Sequence, residues 1–198
     1  NNVCVGYDAG DQGTEMDRCI FIGRNTNPSS ASGANQIVLG HDFTSPGGNN
    51  SFAFGKASSY SYIPFGSNSI ATSSDERLKE NIQNSTAGLS FINDLRPVTF
   101  EWKKAKDIPE DFQAYDADSE ERVSTGDGIN HGFVAQEVKT VIDNHDEIKD
   151  GFDMWKESSD GTQTLSPGSL IPMLVKSIQE LSAEVTALKA EVAALKGE

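Results

Sequence analysis

Ser74 and Lys79 are the two residues of this chain whose types and spacing suit a covalent reaction. A neutral lysine amine can accept the proton of a serine hydroxyl and so turn the hydroxyl into a nucleophile. That state requires burial to lower the lysine from its usual pKa of ~10.4. Spacing sets a second condition. Five residues along a helix turn the side chain by about 140°, and five along a strand carry it to the opposite face. The pair therefore needs a bend between its members, or a lysine delivered by a neighbouring chain. A purely local reading competes: Ser73 with Glu76 has capping-box spacing, the mark of a helix start. Position favours the chemical reading. Residues 1–73 are rich in Gly, Ser and Asn with Leu39 as their single leucine, whereas leucines multiply afterwards. A serine and lysine at such a seam suggest a chain that cuts itself there.

Other reactive residue types are sparse. His41-Asp42 is an isolated dipeptide, read as a solvated turn. Cys4 and Cys19 lie in two successive repeats and are expected to be small buried hydrophobes, not a metal pair. His131, beside Gly132 and before an apolar run, is a candidate for lining a site, against a packing role. The formal charge is −14, with 5 acids and 3 bases in residues 1–73 against 25 acids and 13 bases in residues 74–198. Such a balance argues against nucleic acid as a partner. No apolar run approaches the ~18 residues of a bilayer span. No phosphate loop or metal-ligand cluster is evident, so no cofactor and no metal are expected.

The elements that must position the pair differ on its two sides. Val3-Cys4-Val5-Gly6, Ile20-Phe21-Ile22-Gly23, Ile37-Val38-Leu39-Gly40, Phe52-Ala53-Phe54-Gly55 and Ile63-Pro64-Phe65-Gly66 are five short apolar strands closed by glycine. Their glycines lie 17, 17, 15 and 11 residues apart. Three-residue strands cannot bury a core singly, so they are expected to stack on one another or to wind around identical chains, without a private core. An antiparallel meander is the alternative. The pattern is similar to the shafts of trimeric phage tail fibres and the head repeats of trimeric bacterial adhesins.

After the seam, Leu89, Phe91, Ile92 and Leu95 predict a short helix ending before Pro97. Residues 98–102 alternate as a strand. Residues 103–127 form an acidic excursion, expected to be a solvated loop. Phe133, Val134 and Val138, interleaved with His131, Gln136 and Glu137, mark a strand or helix start. Ile171, Leu174, Ile178, Leu181, Val185, Leu188, Val192 and Leu195 alternate spacings of three and four, a coiled-coil seam over 170–197. Pro172 sits in the first turn and Gly197 closes the helix. With Ile and Val at a and leucine at d, Glu184 and Glu191 fall at g and Lys189 and Lys196 at e, which suits parallel, in-register copies. The side-chain rule leans to two strands; a fibre-like shaft argues for three.

Four ordered blocks carry a more specific resemblance: Ser74-Asp75-Glu76-Arg77-Leu78-Lys79; Leu95-Arg96-Pro97 with Val98-Thr99-Phe100-Glu101-Trp102; His131-Gly132-Phe133-Val134-Ala135-Gln136-Glu137; and Leu170-Ile171-Pro172-Met173-Leu174 with Ile178-Gln179-Glu180-Leu181. Together they resemble the peptidase S74 intramolecular chaperone domain over residues 74–198. The family caps phage endosialidases, tailspikes, tail fibres and neck appendages, and also occurs in a membrane-bound eukaryotic transcription factor. The resemblance implies an α+β chain: a β-repeat fibre shaft over 1–73, triple-β-helical or stacked, then a mainly α-helical trimeric chaperone over 74–198. It implies a Ser-Lys dyad of Ser74 and Lys79 that cuts between Ser73 and Ser74, with Asp75, His131, Gln136 and Glu137 in supporting roles. The partners implied are two further copies and the chain's own shaft as folding client, with a host-cell receptor for the mature fibre. Assembly would occur in the host cytoplasm and the fibre would end in the virion, with the chaperone released. Two alternatives are a non-cleaving structural or receptor-binding tip and the assembly domain of a membrane-anchored regulator.

Overall fold

Four glycine-closed segments of the sequence become rungs of one parallel sheet. The computed structural model describes residues 1–124 and 128–197, which form two compact units, Asn1–Ile82 and Gln83–Glu198. In the first, strands β1 (Val3–Val5), β2 (Ile20–Ile22), β3 (Thr26–Asn27), β4 (Gln36–His41), β5 (Phe43–Thr44), β6 (Ser51–Lys56), β7 (Ser59–Pro64) and β8 (Ala71–Thr72) follow in order. The main sheet runs β1-β2-β4-β6-β7-β8, and β3 pairs with β5 in a second, two-stranded face. Val3, Ile20, Ile37 and Phe52 align across the parallel strands, so each winding brings the chain back one rung further along. The arrangement is solenoid-like.

The close-packed turns explain the repeated glycine. Gly23 adopts φ +119°, and a Cβ there would fall 1.6 Å from the carbonyl oxygen of Gly40 on the next rung. Only a residue without a side chain tolerates both that approach and that backbone.

Three expectations need correction. The stack does have its own core: Cys19, Phe21, Val38, Phe43 and Ala53 are buried together. Stacking rungs within one chain lets each inward side chain cover the next, which three-residue strands cannot do singly. Polar ladders complete the interior, with buried Gln36 bonded through Nε2 to Ser29 Oγ and Asn49 Oδ1, both at 2.8 Å. Next, the fifth repeat is no rung. Its interval of 11 residues is too short for another winding, and the segment returns as β7, antiparallel to β6 with Phe52 facing Ile63. Finally, Cys4 is exposed, because β1 has a paired strand on one side only, whereas Cys19 is buried as expected.

The second unit is built from α1 (Leu89–Asp94), β9 (Val98–Phe100), β10 (Asn130–Gly132), α2 (Ala135–Asp143), β11 (Trp155–Glu157), β12 (Gln163–Leu165) and α3 (Ile171–Lys196). Strands β9 and β10 form one antiparallel ribbon, and β11 and β12 another. Phe91, Leu95, Val138, Ile142, Met154 and Leu170 meet in its core. Helix α1 stops where Pro97 forces extended backbone, with Leu95 already at ψ 138°. Its start lacks a local side-chain cap; instead Glu180 of α3 accepts a hydrogen bond from Leu89 N at 2.7 Å. Beyond Phe100, Lys104 and Lys106 both pair with Glu120, and Arg122 pairs with Glu101. The acidic loop is thus pinned at its base; its end, residues 125–127, lies outside the described residues.

Helix α3 starts with Pro172 in its first turn and ends at Gly197, which takes φ 75°. Met173 packs on the unit's core and Ser177 is buried. All eight heptad residues from Ile171 to Leu195 are exposed in the single chain, the least so at 44%.

Candidate functional site

The chain leaves the solenoid-like sheet through β8, passes Ser73 and Ser74, and turns once. Residues Glu76–Leu78 form a single 3-10 turn. Asp75 caps it: Oδ1 accepts from Arg77 N at 2.9 Å. The same carboxylate grips the Arg77 side chain, with Nε 2.9 Å from Oδ1 and Nη2 2.6 Å from Oδ2. The Arg77 guanidinium and backbone amide hold the Asp75 carboxyl below the usual carboxylate range. Ser73 is therefore not the cap, and the capping-box reading is replaced by an Asp-capped turn. Aspartate, two residues closer to the turn and directly before it, reaches its amide.

That turn supplies the bend which the spacing of Ser74 and Lys79 demands. Lys79 Nζ donates to Ser74 Oγ at 2.7 Å, within one chain. A short 3-10 turn reverses direction within three residues, so side chains five apart can converge where an α-helix or strand would separate them. With the lysine neutral, the same contact lets the hydroxyl donate to nitrogen. Both side chains are exposed in the single chain, so burial around the amine is not provided by these residues alone.

A groove of about 690 Å³ runs beside the pair. One wall is Ser73, Ser74, Asp75, Leu78 and Lys79; the other is the β6–β7 hairpin, with Phe54, Gly55 and Ser59 to Ser61. The whole groove belongs to the first compact unit, which continues to Ile82.

The remaining site candidates lie in the second unit. His131 is the exposed centre of β10, opposite Thr99. Gln136 and Glu137 open α2. Glu137 forms a forked ion pair with Arg96, Nε to Oε2 2.9 Å, which holds its carboxyl below the usual range. This pair ties α2 to the segment after α1, a structural task visible at its own position. His41 and Asp42, read as a solvated turn, are more organised than that: Arg24, Asn25 and His41 all bond Asp42, whose pKa falls to about 2. Sequence reasoning missed His145, which is buried between Asp94 and Glu147; Glu147 stands two residues on, but nothing local signals the pairing with Asp94. Among the described residues no group of three or more His, Cys, Asp or Glu is arranged to hold a metal ion. Nor is any described helix long and apolar enough to cross a membrane.

Among protein-family models, that of Peptidase_S74, described as chaperone of endosialidase, matches residues 74–147. No curated protein and no solved structure gives a significant match. The match begins at Ser74, includes the capped turn and Lys79, and ends beyond α2.

Proposed function

From the premise that residues 74–147 carry a Peptidase_S74 domain, we propose that this chain is the end of a phage tail fibre or tailspike whose chaperone segment trimerises, guides folding of the β-shaft and then frees itself by cutting between Ser73 and Ser74. The observation that carries the reading is the 2.7 Å contact of Lys79 Nζ with Ser74 Oγ across the capped turn.

In the reaction, Ser74 Oγ attacks the carbonyl carbon of Ser73 while Lys79 Nζ takes the hydroxyl proton. The C–N bond between Ser73 and Ser74 breaks, and Lys79 returns a proton to the departing amine of Ser74. The result is an ester between the Ser73 carbonyl and Ser74 Oγ. Water, deprotonated by the same lysine, then adds to the ester. Ser73 leaves with a free carboxyl group and Ser74 regains its hydroxyl. The exposed amine of the single chain would be desolvated only on assembly, which makes the cut conditional on trimer formation.

Two unpartnered apolar surfaces support self-assembly. One is the α3 seam, whose g-position Glu184 and Glu191 match Lys189 and Lys196 of a parallel copy. The other is the outer face of the shaft sheet, where Val5, Ile22, Leu39 and Phe54 form a ladder of apolar side chains, three of them exposed and Leu39 partly so. A sheet apolar on both faces is the pattern of one covered on both. Holding three chains by α3 raises their local concentration before the slow, non-local shaft contacts form. Removal of the chaperone leaves a product whose persistence is a matter of unfolding rate. The exposure of Lys79 in the single chain favours a second reading, a permanent fibre tip that is never cut.

Intact and native mass spectrometry of wild type and Ser74→Ala distinguishes the two. Cleavage predicts pieces of 73 and 125 residues from wild type and an uncut trimer from the variant. An uncut wild-type trimer would leave only the permanent tip.

A further inference from the structure

The chain runs into the proposed cut from a strand that ends at Thr72, one residue before Ser73, which closes the acyl side. Ala71 and Thr72 make up β8, and they pair antiparallel with Tyr62 and Ser61 on the edge of β7. Ser73 follows at once, then Ser74. The groove beside the dyad has β6–β7 residues for its opposite wall. We propose that the β7 edge is the docking strand for the acyl side of the scissile bond: Ser61 and Tyr62 present the Ser73 carbonyl, and the Asp75-capped turn presents Ser74 and Lys79 to it. This rests on the cleavage reading above and assigns positioning roles to shaft residues outside the dyad.

The physical argument is one of orientation. Extended peptides are commonly held for recognition by adding a strand to a sheet edge, where main-chain bonds fix the register. A misplacement of about 1 Å at a reacting centre can lower a rate by about 100-fold. Strand β8 pairs at two positions only, and a single hydrogen bond adds little net stability because it replaces one to water. It is therefore held only when β7 is in place, and β7 in turn depends on its pairing with β6 along Ser51–Lys56. The last shaft hairpin thus forms half of the site that severs the shaft from its chaperone.

Single-glycine insertions test the register. An insertion between Thr72 and Ser73 moves the bond off the docked strand and is expected to slow cleavage by at least about tenfold, followed by intact mass during timed expression. An insertion after Asn68, in the loop before β8, leaves the strand free to keep its register and is expected to cleave at the wild-type rate. Equal rates for both insertions overturn the proposal. Docking is read separately in uncleavable Ser74→Ala protein carrying Cys4→Ser, Ser61→Cys and Thr72→Cys, where a Ser61-to-Thr72 position crosslink is expected on oxidation; its absence also overturns the proposal. A wild type that never cuts defeats the cleavage reading and this inference with it, whereas a wild type that cuts while both insertions cut equally defeats this inference alone.

Discussion

His145 Nε2 lies 2.8 Å from Asp94 Oδ2, joining the segment after α2 to the last residue of α1. Its ring stands edge-on to Phe91 at 5.3 Å, and Nδ1 is 3.1 Å from Glu147 Oε1. The Asp94 bond, opposed by burial and helped by Glu147, raises the His145 pKa above 6.5. A folded pKa above the unfolded one means the protonated form is preferred in the native state. The stabilisation is complete below pH 6.5 and is lost as pH rises through the raised value. Denaturant midpoints of wild type should therefore decline over that rise, while His145→Gln should be flat and less stable at low pH by about 1–3 kcal/mol. Parallel curves for the two proteins would refute the assignment.

Lys79→Arg keeps a cation of similar reach but cannot supply a neutral nitrogen, because the guanidinium does not lose its proton in proteins. The variant is expected to assemble and to cleave at least about 100-fold more slowly than wild type. Cleavage at an undiminished rate, by timed intact mass, would remove Lys79 from the proton transfer.

Leu188→Lys places a charge on the α3 seam at a position 58% exposed in the single chain. The contacts of α3 within its own unit come from Met173, Ser177 and Glu180, nearer the helix start. The variant should keep its helix content by circular dichroism and lose the trimer by native mass. A trimer that persists would assign assembly to another surface.

Gly23→Ala sets a methyl group 1.6 Å from the Gly40 carbonyl at a backbone of φ +119°. Rung spacing and backbone must both yield, so a loss of at least about 2 kcal/mol is expected in thermal melting. Gly48→Ala is the control, since φ is +68° there but nothing lies within 4 Å of the added carbon; its loss should stay near ~1 kcal/mol. Equal losses would deny the close approach between rungs.

Several elements were legible because their signals are local. The end of α1 before Pro97, the glycine-closed rungs and the run of α3 from Pro172 to Gly197 follow from backbone preference and periodicity, which neighbours do not alter. The private core of the stacked windings was not legible, because whether Phe21 and Val38 face solvent or one another depends on how the windings stack. The return of Ile63 as an antiparallel strand was missed for the same reason: its residues suit a rung, and only the short interval and the β6 partner decide the direction.

At the site the division is sharper. The sequence by itself determined that Ser74 and Lys79 stand five residues apart and that either a bend or a neighbouring chain must bring such a pair together, since fixed helix and strand geometry separates these positions. Only the tertiary structure decided that a bend within one chain joins them, that Asp75 and not Ser73 caps it, and that the β6–β7 hairpin faces the pair across a groove. The physical reason is that a capped turn and a groove wall are made by bonds whose partners are chosen in three dimensions: Asp75 competes with Ser73 for an amide, and β8 reaches β7 only after the chain has folded back on itself.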